Sequence, residues 1–385
     1  MPNIKRGMMG AAGFEPPTGE LDGWLWGTGT SGAIGDGTIV DRSSPVQVGE
    51  TWARISSGIV NSHAIKVDGT LWAWGESIQG RLGDGQATID YSSPIQIGAL
   101  ETWVSLSGQW RVNQAVKTDG TLWAWGPGSY GTLGNGNNIN VSSPVQIGSL
   151  TDWSTSRKKM SAYKNVAAIK TDGTLWTWGY GWKGMLGTGT ANINASSPVQ
   201  VGALNTWANV TTGYKHCMAI KTDGTLWAWG DSGGGVLGDG QATIDYSSPI
   251  QIGALTDWAQ VSAGRVHNQA VKTDGTLWGW GSNGRGCLGI GTEGPPHQAS
   301  SPVQIGALTN WAYVKVGWSN SLAIKTDGTL WTWGEQSVGS LGLGDATADR
   351  SSPVQIGSAT DWLEVALSWV AGGSLKQSFA LRGRR

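Results

Sequence analysis

Apolar and polar residues alternate along most of this chain in short runs broken by Gly, Pro, Asn or Asp. No segment sustains a helical apolar period, so the pattern predicts strands and almost no helix. Residues 117–126, KTDGTLWAWG, show the pattern most clearly, and close copies lie at 66–75, 170–179, 221–230, 272–281 and 325–334. Asp119-Gly120 between alternating residues reads as a two-residue type I′ hairpin turn. In the following strand, residues two apart share a face. Trp123 and Trp125 therefore point one way, and Leu122 and Ala124 the other.

The motif belongs to a longer repeat. The prolines of seven Ser-Ser-Pro segments, Pro45, Pro94, Pro144, Pro198, Pro249, Pro302 and Pro353, are 49, 50, 54, 51, 53 and 51 residues apart. Each unit carries four strand signals: the Ser-Pro run taken as the first, a run opening on a lone Trp, an Ala-Ile-Lys-like run, and the Trp-x-Trp run. Four-strand units that cannot bury both faces alone, repeated seven times, predict an all-β, seven-bladed β-propeller of four-stranded blades. Twenty-one of the 25 tryptophans fall at repeated positions. Their expected role is packing of the bulky face of one blade on the small-residue face of the next.

The two ends complement each other. The last unit has SFALR without a Trp-x-Trp partner, and the first unit begins at residues 23–27 with GWLWG, which lacks the strand before it. The ring is therefore expected to close through N- and C-terminal strands sharing one blade, with Trp24 and Trp26 beside Phe379–Leu381. This removes two exposed sheet edges. The domain reading is an N-terminal arm, 1–20, and a propeller, 21–385.

The repeats WG…G.LG.G, then P..V, then G…..A.K.DG.LW.WG, as in WGDSGGGVLGDGQATIDYSSPIQIG, resemble those of the regulator of chromosome condensation (RCC1-like) family over about residues 21–385. The resemblance implies a seven-bladed propeller but no single activity. Some relatives promote nucleotide exchange on a small GTPase and others inhibit proteins. The chain has no insertion comparable to the β-wedge of the exchange factors. The arm, IKRGMMGAAG, resembles the opening of virion structural proteins of tailed marine phages.

Composition narrows the partners. A net charge of −1 gives no field for nucleic acid, and no run is long and apolar enough for a membrane span. The N-terminus has no apolar signal-peptide core. The two cysteines, Cys217 and Cys287, read as free thiols. His63, His216, His267 and His297 form no metal-ligand spacing, and Cys217 beside His216 on a strand points to the opposite face. No enzyme constellation, metal site or cofactor is expected.

Variation concentrates between the lone-Trp strand and the Lys-bearing strand. There the units offer Trp110, Arg111, Tyr163, Lys164, Tyr214, Lys215, His216, Arg265, His267, Trp318 and Trp369. Corresponding propeller loops emerge on one face, and Trp, Tyr and Arg are enriched at binding hot spots. A second set of loops, after Trp-x-Trp, holds Tyr130, Tyr180, Trp182, Lys183 and Arg285 among glycines that read first as turns. The principal expectation is a non-catalytic scaffold of a phage virion that contacts another virion protein or a host surface receptor. The alternatives are a cytoplasmic protein-binding regulator or inhibitor, and a glycan binder using exposed tryptophans.

Overall fold

A computed structural model describes residues 19–109, 112–292, 298–345, 347–368 and 376–383. These form seven antiparallel four-stranded sheets arranged as a closed propeller. Blade 2 runs outward from the axis as Arg54–Ser57, Asn61–Ile65, Leu71–Gly75 and Tyr91–Gln96. Blades 3 to 7 repeat the plan, with innermost strands Trp103–Gln109, Met160–Ala162, Trp207–Thr212, Trp258–Ala263 and Trp311–Val316. Blade 1 closes the ring as two strands from each end: Trp362–Leu367 and Gln377–Gly383, then Leu21–Gly27 and Arg42–Trp52. Trp24 pairs with Ala380 and Leu25 with Phe379, the closure expected from the sequence. The N-terminal arm through residue 18 lies outside the described residues.

Two local expectations need correction. The Ser-Pro strand is the outermost strand of the preceding blade, not the first of the next: Trp72 faces Gln96 across Leu71–Gly75 and Tyr91–Gln96. Proline lacks an N–H and suits a strand with one free edge. The hairpin turn is also not type I′. Gly120 N–H donates to Lys117 O at 2.9 Å, and only Gly120, at φ +78°, is left-handed. The Asp119 carboxylate accepts from Thr121 N at 2.9 Å and Thr121 Oγ1 at 2.7 Å, which holds the aspartate in an ordinary conformation. The result is a three-residue turn ending in a left-handed glycine.

The tryptophans join the blades. The second Trp of each hairpin is fully buried and donates its indole N–H to a backbone carbonyl of the preceding blade: Trp26 to Ser340, Trp74 to Ala33, Trp125 to Arg81, Trp178 to Thr132, Trp229 to Met185, Trp280 to Val236 and Trp333 to Cys287, at 3.0–3.1 Å. Its socket includes a glycine of the preceding blade. A Cβ on Gly187, at φ +70°, would lie 2.8 Å from Trp229 Nε1. One such interface joins Ile65, Leu71 and Ala73 of blade 2 to Trp103, Ala115 and Trp125 of blade 3, so bulky face meets small face as expected. The first Trp of each hairpin is instead half-buried at the rim. Trp227, for example, donates to Thr225 Oγ1 at 2.8 Å and lies 3.4 Å beneath Lys221 Nζ.

Around the axis, side chains satisfy the free edges of the innermost strands. Gln260 donates to Val314 O at 2.8 Å and accepts from Val314 N at 3.0 Å. Thr211 Oγ1 accepts from Ala263 N at 3.2 Å, and Ser262 Oγ from Val316 N at 3.1 Å. At these interfaces one blade covers the edge of the next, which leaves little open sheet edge between them.

Candidate functional site

Two sets of loops share one face of the ring. One leads from the innermost strand to the second; the other leads from the third strand to the outermost. Backbone bonds tie them together: Tyr180 N to Lys164 O at 3.0 Å and Asp231 N to Lys215 O at 2.9 Å. The opposite face carries the Asp-Gly turns and the links between blades, joined by bonds such as Trp103 N to Gly69 O at 3.0 Å.

On the loop face, the innermost loops converge over the mouth of the axial channel. Tyr163 of blade 4 packs edge-on to Tyr214 of blade 5 at 5.7 Å, and Tyr214 reaches Trp318 of blade 7 at 5.8 Å. A contact that passes over blade 6 is possible only where the blades converge. Arg265 of blade 6 lies 4.1 Å over Trp318 and 5.8 Å from Tyr214, and Lys164 lies 4.8 Å from Tyr214 on the ring. Tyr163 and Trp318 are buried, while Tyr214, Lys164, Lys215 and Arg265 are half-buried.

The second set of loops extends this cluster outward. Tyr130 and Tyr180 are 4.6 Å apart, with Lys164 Nζ 5.9 Å from Tyr180. Trp182 receives Lys215 at 4.6 Å and Lys183 at 4.8 Å. Lys183 also bonds Asp231 at 2.8 Å and Asp245 at 3.1 Å, and Lys215 lies 3.7 Å from Asp231. Burial raises the Asp231 carboxyl, but Lys183, the Gly233 N–H and Lys215 together hold it below the usual carboxylate range. Tyr130, Lys183 and Arg285 stand at the left-handed position of their turns, at φ 63°, 51° and 62°; blade 5 has Gly234 there. A side chain at such a φ strains the backbone, so these blades hold large side chains where glycine would be easier. Sequence reading assigned this second set to turns. The signal was present as aromatic and basic residues at a position otherwise small or polar.

Two of the sequence-predicted residues do not reach this surface. His216 and His267 are fully buried between blades. His216 Nε2 bonds Asn268 at 2.7 Å, and His267 Nε2 bonds Ser321 at 3.2 Å. Both begin a strand, and the strand's alternation turns them into the next interface. Burial depresses His216 to about 4 and His267 to about 3, so both are neutral at neutral pH. Cys217 points the other way, toward Asn165 of blade 4 at 3.0 Å, and burial pushes its thiol up to about 12. Trp110, Arg111 and Trp369 lie outside the described residues, as does His297. Trp318 is 6% exposed beneath Arg265, which removes the open aromatic face that glycan stacking through it would need.

The axial channel is lined by the innermost strands, with Arg54, Lys158, Lys315 and Glu364 among its residues. The cavity between these strands, about 70 Å³, has room for a handful of waters. Among the described residues, no group of three or more His, Cys, Asp or Glu is placed to hold a metal ion, and no helix is long and apolar enough to cross a membrane.

The family model described as RCC1-like domain matches residues 22–376. The chain belongs to the RCC1-like domain family. This RCC1-like chain is 31% identical over 350 residues to the ultraviolet-B receptor UVR8 of Arabidopsis thaliana, covering 85% of this chain and 76% of the receptor. It is 28% identical over 409 residues to the mitochondrial RCC1 domain-containing protein RUG3 of the same plant, covering 95% and 89%. Its fold matches Prp20p from Saccharomyces cerevisiae with a TM-score of 0.82 at 18% identity, over 97% of this chain and 93% of that one.

Proposed function

We propose that this RCC1-like chain is a non-catalytic protein-binding module of the regulator class, with the loop face as its docking surface. One observation carries the reading. The features that join blades recur seven times, whereas the loop face gathers side chains that differ from blade to blade into one aromatic and cationic cluster. Tyr130, Tyr180, Trp182, Tyr214 and Arg265 have the chemistry of interface hot spots on a rigid scaffold.

The relatives support the regulator reading over a virion component. UVR8 is named as a receptor, and the Prp20p structure is described with its binding to Gsp1p and histones. The resemblance behind the virion reading lies in the arm, outside the described residues. A photo-crosslinking residue at Tyr180 should trap a partner protein in the cells that make this chain, and one at Val67 on the opposite face should not. The trapped partner should be lost with Tyr214→Ala. Equal trapping from both faces, or trapping that Tyr214→Ala leaves unchanged, overturns the proposal.

A further inference from the structure

The innermost loops of the seven blades carry an uneven charge. They span 58–60, 110–111, 163–164, 213–215, 264–266, 317–319 and 368–376. Among the described residues these loops hold four cations, Lys164, Lys215, Arg265 and Lys376, and no Asp or Glu. Among the described residues, three carboxylates of the second set of loops are already engaged by cations. Glu335 bonds the buried Lys376, and Asp231 and Asp245 take Lys183, with Lys215 beside Asp231.

Arg265 differs from these cations. Among the described residues, no carboxylate lies within ion-pair distance of its guanidinium, and its Nε is buried with no hydrogen-bond partner. Instead, the guanidinium rests over Trp318 at 4.1 Å, with Tyr214 at 5.8 Å. A guanidinium stacked on an aromatic face keeps its N–H donors in its own plane, in the fork that matches a carboxylate. A buried donor without a partner calls for an acceptor. Lys164, 4.8 Å from the same Tyr214 ring, places a second cation beside it.

We infer that the channel mouth binds a carboxylate of an acidic polypeptide segment, with Arg265 as the bidentate donor and Lys164 as a second positive contact. This rests on the docking role proposed above and names the chemistry of the partner. The loop ring supplies positive charge over an aromatic floor. The segment supplies Asp or Glu side chains, or a terminal carboxylate, and the Arg265 N–H groups donate to both carboxylate oxygens.

The test uses the full chain and a fluorescein-labelled deca-glutamate peptide, read by anisotropy. Saturable binding is expected that weakens with salt, at least tenfold loss with Arg265→Ala, and a severalfold loss with Arg265→Lys, which keeps the charge but not the fork. The matching deca-glutamine peptide with an amidated C-terminus should not bind, and Lys221→Ala on the opposite face should leave binding unchanged. Amidating the peptide's C-terminus separates the two carboxylate sources: unchanged binding assigns side chains, and lost binding assigns the terminal group. The inference is overturned if Arg265→Ala binds as tightly as the parent, if Lys221→Ala loses as much, or if millimolar inorganic phosphate displaces the peptide completely. A crosslinked partner lost with Tyr214→Ala but indifferent to Arg265→Ala leaves the docking face standing and overturns the carboxylate assignment. A partner indifferent to both overturns the docking face itself.

Discussion

The two faces of this propeller are built from the same blades and differ in how their residues vary. On the hairpin face, blade after blade repeats one arrangement: an aspartate caps a threonine, the threonine accepts from a rim tryptophan, and a lysine lies on that tryptophan. Blades 3, 5 and 7 show it with Lys117, Lys221 and Lys325 at 3.6, 3.4 and 3.6 Å from Trp123, Trp227 and Trp331. Burial lowers all three lysines, against the pull of the turn aspartate. On the loop face, blades 2, 5, 6 and 7 use three-residue innermost loops of the same length, yet these read Gly-Ile-Val, Gly-Tyr-Lys, Gly-Arg-Val and Gly-Trp-Ser. In blade 2, Ile59 and Val60 are buried against Ala33. That loop shows what the backbone needs, and the other three show what has been added. Repetition marks cohesion here, and the docking surface proposed above lies where the blades depart from it.

The largest break in this comparison is at the ring closure. Deleting residues 1–27 removes the strand that pairs with Gln377–Gly383 and leaves two blade faces open. The shortened chain should lose cooperative unfolding in calorimetry, and a melt like that of the full chain would refute closure by the termini. Next comes the repeated tryptophan. Trp229→Ala empties a fully buried socket and should cost about 3–5 kcal/mol in denaturant unfolding. Trp182→Ala on the loop face should cost well under that and abolish capture by the crosslinker at position 180.

A smaller effect follows from the buried histidines. His63, His216 and His267 sit in blade interfaces with pKa values depressed from 6.5 to about 4, 4 and 3. Between pH 6.5 and about 4 the unfolded chain binds protons that the folded chain refuses, so stability falls as the pH is lowered through that window. Each histidine contributes a slope of up to about 1.4 kcal/mol per pH unit. His216→Asn should flatten the acid limb of a stability–pH curve, and an unchanged limb would show that His216 is not neutral in the fold. The smallest effect concerns Tyr130. Its left-handed φ suits glycine, so Tyr130→Gly should leave stability unchanged or raise it by up to about 1 kcal/mol while weakening binding. A clear destabilisation would mean that the Tyr130–Tyr180 contact holds the fold together.

Much of the architecture was legible because it is repeated. The fifty-residue period, the Trp-x-Trp alternation and the complementary ends gave the propeller and its closure. The strand offset was missed although Pro94 and its equivalents marked an edge strand. The turn type was missed because Asp-Gly alone does not reveal the Asp119–Thr121 bonds that hold the aspartate right-handed. At the site, loop variation located Tyr163, Lys164, Tyr214, Lys215, Arg265 and Trp318 on one face. It also drew in His216 and His267, because sequence proximity to a loop does not say where a strand begins or which way its first residue turns. The contribution of Tyr130, Tyr180 and Trp182 depends on two loop sets meeting in space, which no single segment encodes.

The central claim is most directly tested by a loop graft. Blade 2's Gly-Ile-Val can replace Gly-Tyr-Lys at 213–215 and Gly-Arg-Val at 264–266 without changing loop length. In one preparation, the melting temperature and the capture of the crosslinked partner would be measured together. The account predicts a melting temperature within a few degrees of the parent and loss of capture. A graft that still captures its partner, or one that no longer folds, would contradict the separation of cohesion from binding.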